Sequence, residues 1–147
     1  MNNLIISIDG PAGCGKQKIA KYIAKKYKFF HLDSGILYRR IAYLLLKKNI
    51  DPKNINEVKK FIYLLDNLSS RNHSYLRSEI ISKKSSHIAT YSFIRNFVNK
   101  YQKIIVNKKL KTFKGCVIDG RDIGSKVFKE AKIKLFIKVN IEIRAKR

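Results

Sequence analysis

The sequence predicts an α/β fold: a parallel sheet flanked by helices, with a mainly helical insertion. Three observations lead there. Between Leu4 and Tyr27 an apolar run, a glycine-rich turn and an amphipathic helix follow one another directly. A second short apolar segment and a second amphipathic helix repeat the alternation, the pattern of a parallel sheet with helices on its faces. From Asn49 to Lys114 no strand signal interrupts a series of helical periods, and strand patterns return only at Cys116.

The chain is organised around Ile6–Gln17, ISIDGPAGCGKQ. Leu4, Ile5, Ile6 and Ile8 read as a buried strand. Gly10 opens a loop that closes with Gly13, Gly15 and Lys16. Ile19, Ala20, Ile23, Ala24 and Tyr27 then mark one face of a helix. That context makes G-x-x-x-x-G-K a phosphate-binding loop rather than a ligand-free glycine turn. A phosphate chain needs several backbone N–H groups aimed at it, and glycines permit the close approach and the positive φ angles such a turn demands. A helix that starts near Gly15 aims its free N–H groups and positive dipole end at the anion. Lys16 adds a mobile positive charge. The residue after the lysine, which in such loops is often a Ser or Thr that helps hold Mg²⁺, is here Gln17, followed by Lys18; neither carries a hydroxyl.

The remaining elements follow in order. Phe29–Leu32 reads as the second strand, ending in the turn Asp33-Ser34-Gly35, where Asp33 is either a turn residue or a helix cap. Leu37, Tyr38, Ile41, Ala42, Leu45 and Leu46 define the second helix, which carries Arg39 and Arg40. Asp51-Pro52 breaks the pattern, and Asn54 or Asn56 caps a third helix with Val58, Phe61, Ile62 and Leu65 inward. Asn67–Ser74 is a polar loop. Residues 78–90 read as a weak helix and 93–110 as a long one. Cys116-Val117-Ile118 is a buried strand that ends at Asp119-Gly120-Arg121-Asp122. Val127-Phe128 belong to a short helix. Ile133, Leu135, Ile137 and Val139 alternate with lysines as a fourth strand with one wet face, since a fully buried one would be apolar throughout. Residues 142–147 begin a last helix.

Bulk properties bound the function. The 147 residues suit one domain with a real core. No apolar run approaches the roughly 20 residues that span a bilayer. The N-terminal apolar stretch contains Asp9 and leads straight into the loop, which argues against a signal peptide. Cys14 and Cys116 read as free thiols in a reducing cytoplasm. His31, His73 and His87 have no partner spacing for metal or acid–base work. The formal charge of +23 invites a nucleic-acid reading. The basic residues are, however, spread over nearly every helix, as expected when lysine simply fills solvated faces. Either origin draws in anionic ligands.

Several stretches together resemble bacterial cytidylate kinases: IDGPAGCGK, LDSGILYRR, the run LRSEI through SSHIA to FIR, VIDGRDIGSKVF and the closing EIRAKR. A phosphate loop alone would fit many families; DSGxxYR and DGRDIG are far more specific. The resemblance implies a P-loop nucleoside monophosphate kinase-like fold over 1–147, with 1–48 and 115–147 as the core and 49–114 as the helical NMP-binding insertion. It implies ATP-dependent phosphorylation of CMP or dCMP to the diphosphate, with Mg²⁺, by a cytoplasmic monomer with no membrane role. It places Gly10, Pro11, Ala12, Gly13, Cys14, Gly15, Lys16, Gln17 and Lys18 on the ATP phosphates. Ser34, Arg39, Ser86, Arg95 and Arg121 fall at CMP-contacting positions, and Lys16, Arg121 and Asp122 at catalytic ones. Asp119 ends a strand beside the loop, where a carboxylate can orient a metal-bound water; no residue is assigned as a direct metal ligand. Arginine suits the acceptor phosphate because its planar fork binds in a bidentate way and stays ionised. Ser86 can equally be a helix-surface residue, and Arg144 and Arg147 either begin a lid's arginine set or mark a positive helix end.

Cytidylate kinases continue past the point where this chain stops. The expectation is therefore a chain that lacks the lid and the last strand, with a shortened segment at 64–75 and impaired turnover. The reading from another class is a non-catalytic, basic nucleotide- or RNA-binding module derived from the same fold.

Overall fold

The computed structural model describes residues 3–63 and 73–140. All but His73 and Ser74 of the expected polar loop over 67–74, the expected helix over 142–147, Leu65, Arg144 and Arg147 lie outside the described residues. Spatially the chain forms two compact units, Met1–Ser34 with Gln102–Arg147, and Gly35–Tyr101.

The first unit holds a four-stranded parallel sheet of β1 (Leu4–Asp9), β2 (Phe30–Asp33), β3 (Gly115–Gly120) and β4 (Ile133–Phe136), in the order β2-β3-β1-β4. Side chains alternate across it. Ile6, Ile8 and Val117 face α1 (Lys16–Tyr27), where Ala20 and Ala24 are small enough to let helix and sheet meet. Leu32, Cys116 and Ile118 face the other way, onto Val106, Ile123, Val127 and Phe128. β3 is buried almost throughout, as an inner parallel strand should be. β4 is shorter than the alternation to Val139 suggested. Its residues are all exposed rather than half wet, because among the described residues it sits at the sheet edge, paired on one side only.

Local chemistry sets the ends of α1. Gly15 precedes it in the left-handed region at φ 87°. At the other end Lys28 takes φ 55°, the Phe29 N–H reaches the Ala24 carbonyl at 2.9 Å, and the Lys28 N–H reaches that of Lys25 at 3.4 Å. This is a Schellman closure made without glycine.

The second unit is helical: α2 (Ser34–Lys47, its first residue in the other unit), α3 (Ile55–Tyr63), a 3₁₀ turn at Ser74–Arg77, α4 (Glu79–Ile88) and most of α5 (Ser92–Lys109). α2 ends as α1 does, with Asn49 at φ 55° and the Ile50 N–H on the Leu45 carbonyl at 2.9 Å. Asn54 is the cap of α3. Its Oδ1 accepts the Glu57 N–H at 3.3 Å, and its Nδ2 donates to the Glu57 carboxylate at 3.1 Å. Ser78 caps α4 by accepting the Ile81 N–H. The units do not coincide with the 49–114 block read from the missing strand signal: α2 lies in the helical unit, where Ala42, Leu45 and Leu46 share the lining of one small cavity with Pro52 and Ile88.

Candidate active site

Three strands end in carboxylates at the same edge of the sheet. Asp33 pairs in register with Asp119, and Asp9 with Gly120. Ligands of parallel α/β sheets bind at this carboxyl edge. The glycine-rich loop leaves β1 here and runs into α1. Gly13 (φ 73°) and Gly15 (φ 87°) are both left-handed. Gly10 is buried, and a Cβ on it would lie 2.8 Å from both Cys14 Sγ and the Ile137 carbonyl oxygen. Ala12 and Gly13 are exposed and Pro11 and Gly15 half-buried, so the loop rim is open. The Lys18 and Ile19 N–H groups take the Gly15 carbonyl, at 3.0 and 3.4 Å. The N–H groups ahead of them have no intrahelical acceptor, which makes this end of α1 a cradle for an anion. Lys16 Nζ donates to the Pro11 carbonyl at 3.0 Å, folding its charge across the mouth of the loop.

Gln17 turns from the loop to β2: its Nε2 donates to Asp33 Oδ2 at 2.6 Å. Lys18 is exposed. Asp119 is 3% exposed, and its Oδ1 lies 2.6 Å from His31 Nε2. Sequence reading gave His31 no role, because its partner lies 88 positions away and only the β2–β3 register brings them together. Asp9 was missed for the same reason. Its two oxygens accept the N–H groups of Ile123 (2.7 Å) and Gly124 (2.8 Å), which start the π-helical turn Ile123–Val127. That turn is the short helix expected at Val127, and Phe128 is buried just beyond it. Among the described residues no set of three His, Cys, Asp or Glu side chains could enclose a metal.

Arg121 and Asp122 follow β3 directly and are exposed; Asp122 Oδ2 pairs with Lys126 Nζ at 2.9 Å. Ser34, at the start of α2, is buried. The loop, Ser34, Arg121 and Asp122 thus belong to the first unit. Arg39, Ser86 and Arg95 belong to the second. Arg39 is half-buried, and its Nε has no hydrogen-bond partner among the described residues. Ser86 is exposed on α4, while its neighbour Ser85 is buried and donates to the Ser82 carbonyl at 2.9 Å. Arg95 Nη1 donates to the carbonyls of Ala89 (2.9 Å) and Thr90 (2.6 Å), so the guanidinium closes the C-terminal end of α4. The larger groove of the helical unit, lined by Tyr43, Leu46, Tyr75 and Ile81 among others, contains none of these candidates.

A parallel sheet whose first strand feeds a glycine-rich anion cradle and a helix N-terminus defines a nucleotide-binding protein of the P-loop class. Comparison with known proteins narrows the class: residues 6–147 match the cytidylate kinase family profile. The chain belongs to the cytidylate kinase family. It is 38% identical to a cytidylate kinase of Fusobacterium nucleatum, an alignment that takes in 100% of this chain and 69% of the relative. It is 36% identical to one of Clostridioides difficile, over 100% of this chain and 70% of the relative. A bifunctional pantoate ligase/cytidylate kinase of Prochlorococcus marinus (strain AS9601) is 38% identical over 97% of this chain, which spans 30% of that protein.

Proposed function

We propose that this chain transfers the terminal phosphoryl group of ATP to CMP, with dCMP as a second acceptor. One observation supports it above the others: the Asp9–Gly120 register sets the phosphate cradle and the Arg121-Asp122 turn at neighbouring strand ends. An acceptor phosphate oxygen is already a nucleophile once its charge is neutralised, so the work is positioning and charge stabilisation along an in-line path. The loop amides of residues 10–16 and Lys16 hold the donor phosphates. Arg121 grips the acceptor phosphate, and Asp122 orders that turn through its pairing with Lys126. Ser34 is a further acceptor-side candidate, and Arg39, Ser86 and Arg95 are the candidates that the helical unit carries. The oxygen groups nearest the loop fit a metal carried in on the nucleotide better than a resident one. Gln17 is committed to Asp33, and Asp119 gives one oxygen to His31. Mg²⁺, when bound with ATP, would supply charge neutralisation at the phosphates. Gln17 and Lys18 slow turnover because neither offers at the helix start the hydroxyl that usually helps hold Mg²⁺, and Gln17 is turned to Asp33 instead. The enzyme works as a monomer in the cytoplasm.

The test is ADP release by the purified chain with CMP, dCMP, UMP or AMP as acceptor. CMP should give the fastest release and dCMP the next. Equal release with and without CMP would end the proposal.

A further inference from the structure

Asp9 is 7% exposed and holds no place in the candidate set, yet it sits where the two halves of the chemistry meet. It is the last residue of β1 and precedes Gly10 of the phosphate loop. Its carboxylate takes two backbone N–H groups, at 2.7 and 2.8 Å, from the first residues after Arg121-Asp122. Charge-assisted bonds of this length in a buried setting are strong and directional. The turn is held close on both sides. A Cβ at Gly124 would come within 2.4 Å of Ser7 Oγ and 3.3 Å of Asp9 Oδ2, and one at Gly120 within 2.6 Å of Ile123 Cγ1. Gly124 therefore lets the turn lie directly on β1, while Gly120 leaves room for the turn's own Ile123 side chain. Arg121 and Asp122 are strung between these fixed points.

We propose that Asp9 is a positioning residue that couples the donor loop to the acceptor turn. Its backbone carries Gly10 and its side chain carries Ile123 and Gly124, so any shift that polyphosphate binding imposes at the loop reaches the segment bearing Arg121. Donor and acceptor nucleotides then tighten each other's binding, and by linkage the enhancement is reciprocal. This rests on the CMP reading above for the identity of the acceptor.

Asp9→Asn keeps the side chain's shape but turns an amide NH₂ toward one of the two N–H groups. In the wild-type chain, calorimetric titration should show a non-hydrolysable ATP analogue tightening CMP binding. In Asp9→Asn, CMP affinity should fall by about tenfold or more, the analogue alone should bind within about threefold of wild type, and the mutual enhancement should vanish. Amide hydrogen exchange at Ile123 and Gly124 should quicken with no nucleotide present. Unchanged exchange at those two amides, or equal losses for both nucleotides, would overturn the proposal. If Asp9→Asn does not fold, Gly124→Ala decides. It should lose CMP affinity by crowding Ser7 Oγ, and Ser7→Ala added to it should restore much of that loss. A Gly124→Ala protein with wild-type CMP affinity, or no recovery in the double variant, would refute the coupling. A wild-type chain that binds no CMP would refute the acceptor assignment alone, since the exchange measurement still judges Asp9.

Discussion

Arg121 leaves β3 with its side chain in solvent, one residue beyond a glycine on which a Cβ would press against the Ile123 side chain. Its proposed value is its planar fork rather than its charge. Arg121→Lys keeps the charge and loses the bidentate geometry, so KM for CMP should rise by about one to two orders of magnitude with ATP KM little changed, measured by steady-state kinetics. Cys116 lies at the opposite extreme. Burial in the apolar cluster with Val106, Ile118 and Phe128 pushes its thiol up to about 11, with Lys109 offsetting part of the effect. The folded chain therefore holds that proton more tightly than the unfolded chain. This stabilisation is whole below the ordinary thiol pKa and is lost as pH rises from there through about 11. Denaturant midpoints across that window should fall more steeply for wild type than for Cys116→Ala. At this scale the sequence was partly legible. Loop residues declared themselves because their partners are local. Asp9 and His31 did not, because Ile123 and Asp119 meet them only through strand register.

Elements were legible where a single periodicity ran unopposed, as in α1, α4 and α5, whose positions match their apolar spacing to within a residue or two. Their ends were less so. Asn54 was one of two candidate caps, and only geometry separates it from Asn56. Asn54→Ala should cost about 1 kcal/mol of stability by thermal melting, the usual worth of such a cap. Lys28 gave no signal at all, since a lysine in the left-handed region looks like any helix lysine. Lys28→Gly should raise stability by about 1 kcal/mol by relieving the Cβ clash, an effect opposite to that of glycine inside a helix. β4 misled in another way. Alternation with lysine suggested one buried face, but an edge position leaves Ile133 and Leu135 41% and 36% exposed.

For the molecule as a whole, the sheet unit was readable because its strands are short apolar runs between turn residues. The helical unit was readable in kind but not in extent. The stretch without a strand signal begins at Asn49, whereas the spatial unit begins at Gly35, inside a helix that gives no sign of the boundary. No helix among the described residues is long and apolar enough to cross a membrane. The charge of +23 is a property of the entire surface, and its clearest consequence should be kinetic. KM for ATP should rise several-fold between about 0.05 and 0.3 M salt, as screening shortens the reach of the field. β4 carries a practical lesson. Among the described residues no strand pairs with its outer edge, which presents Ile133, Leu135 and Phe136, a ready template for a second copy. Lys132, Lys134 and Lys138 act as gatekeepers by mutual repulsion. Multivalent anions that neutralise those lysines remove the guard, so concentrated stocks should cloud in phosphate or sulfate buffers before they do in chloride of equal ionic strength.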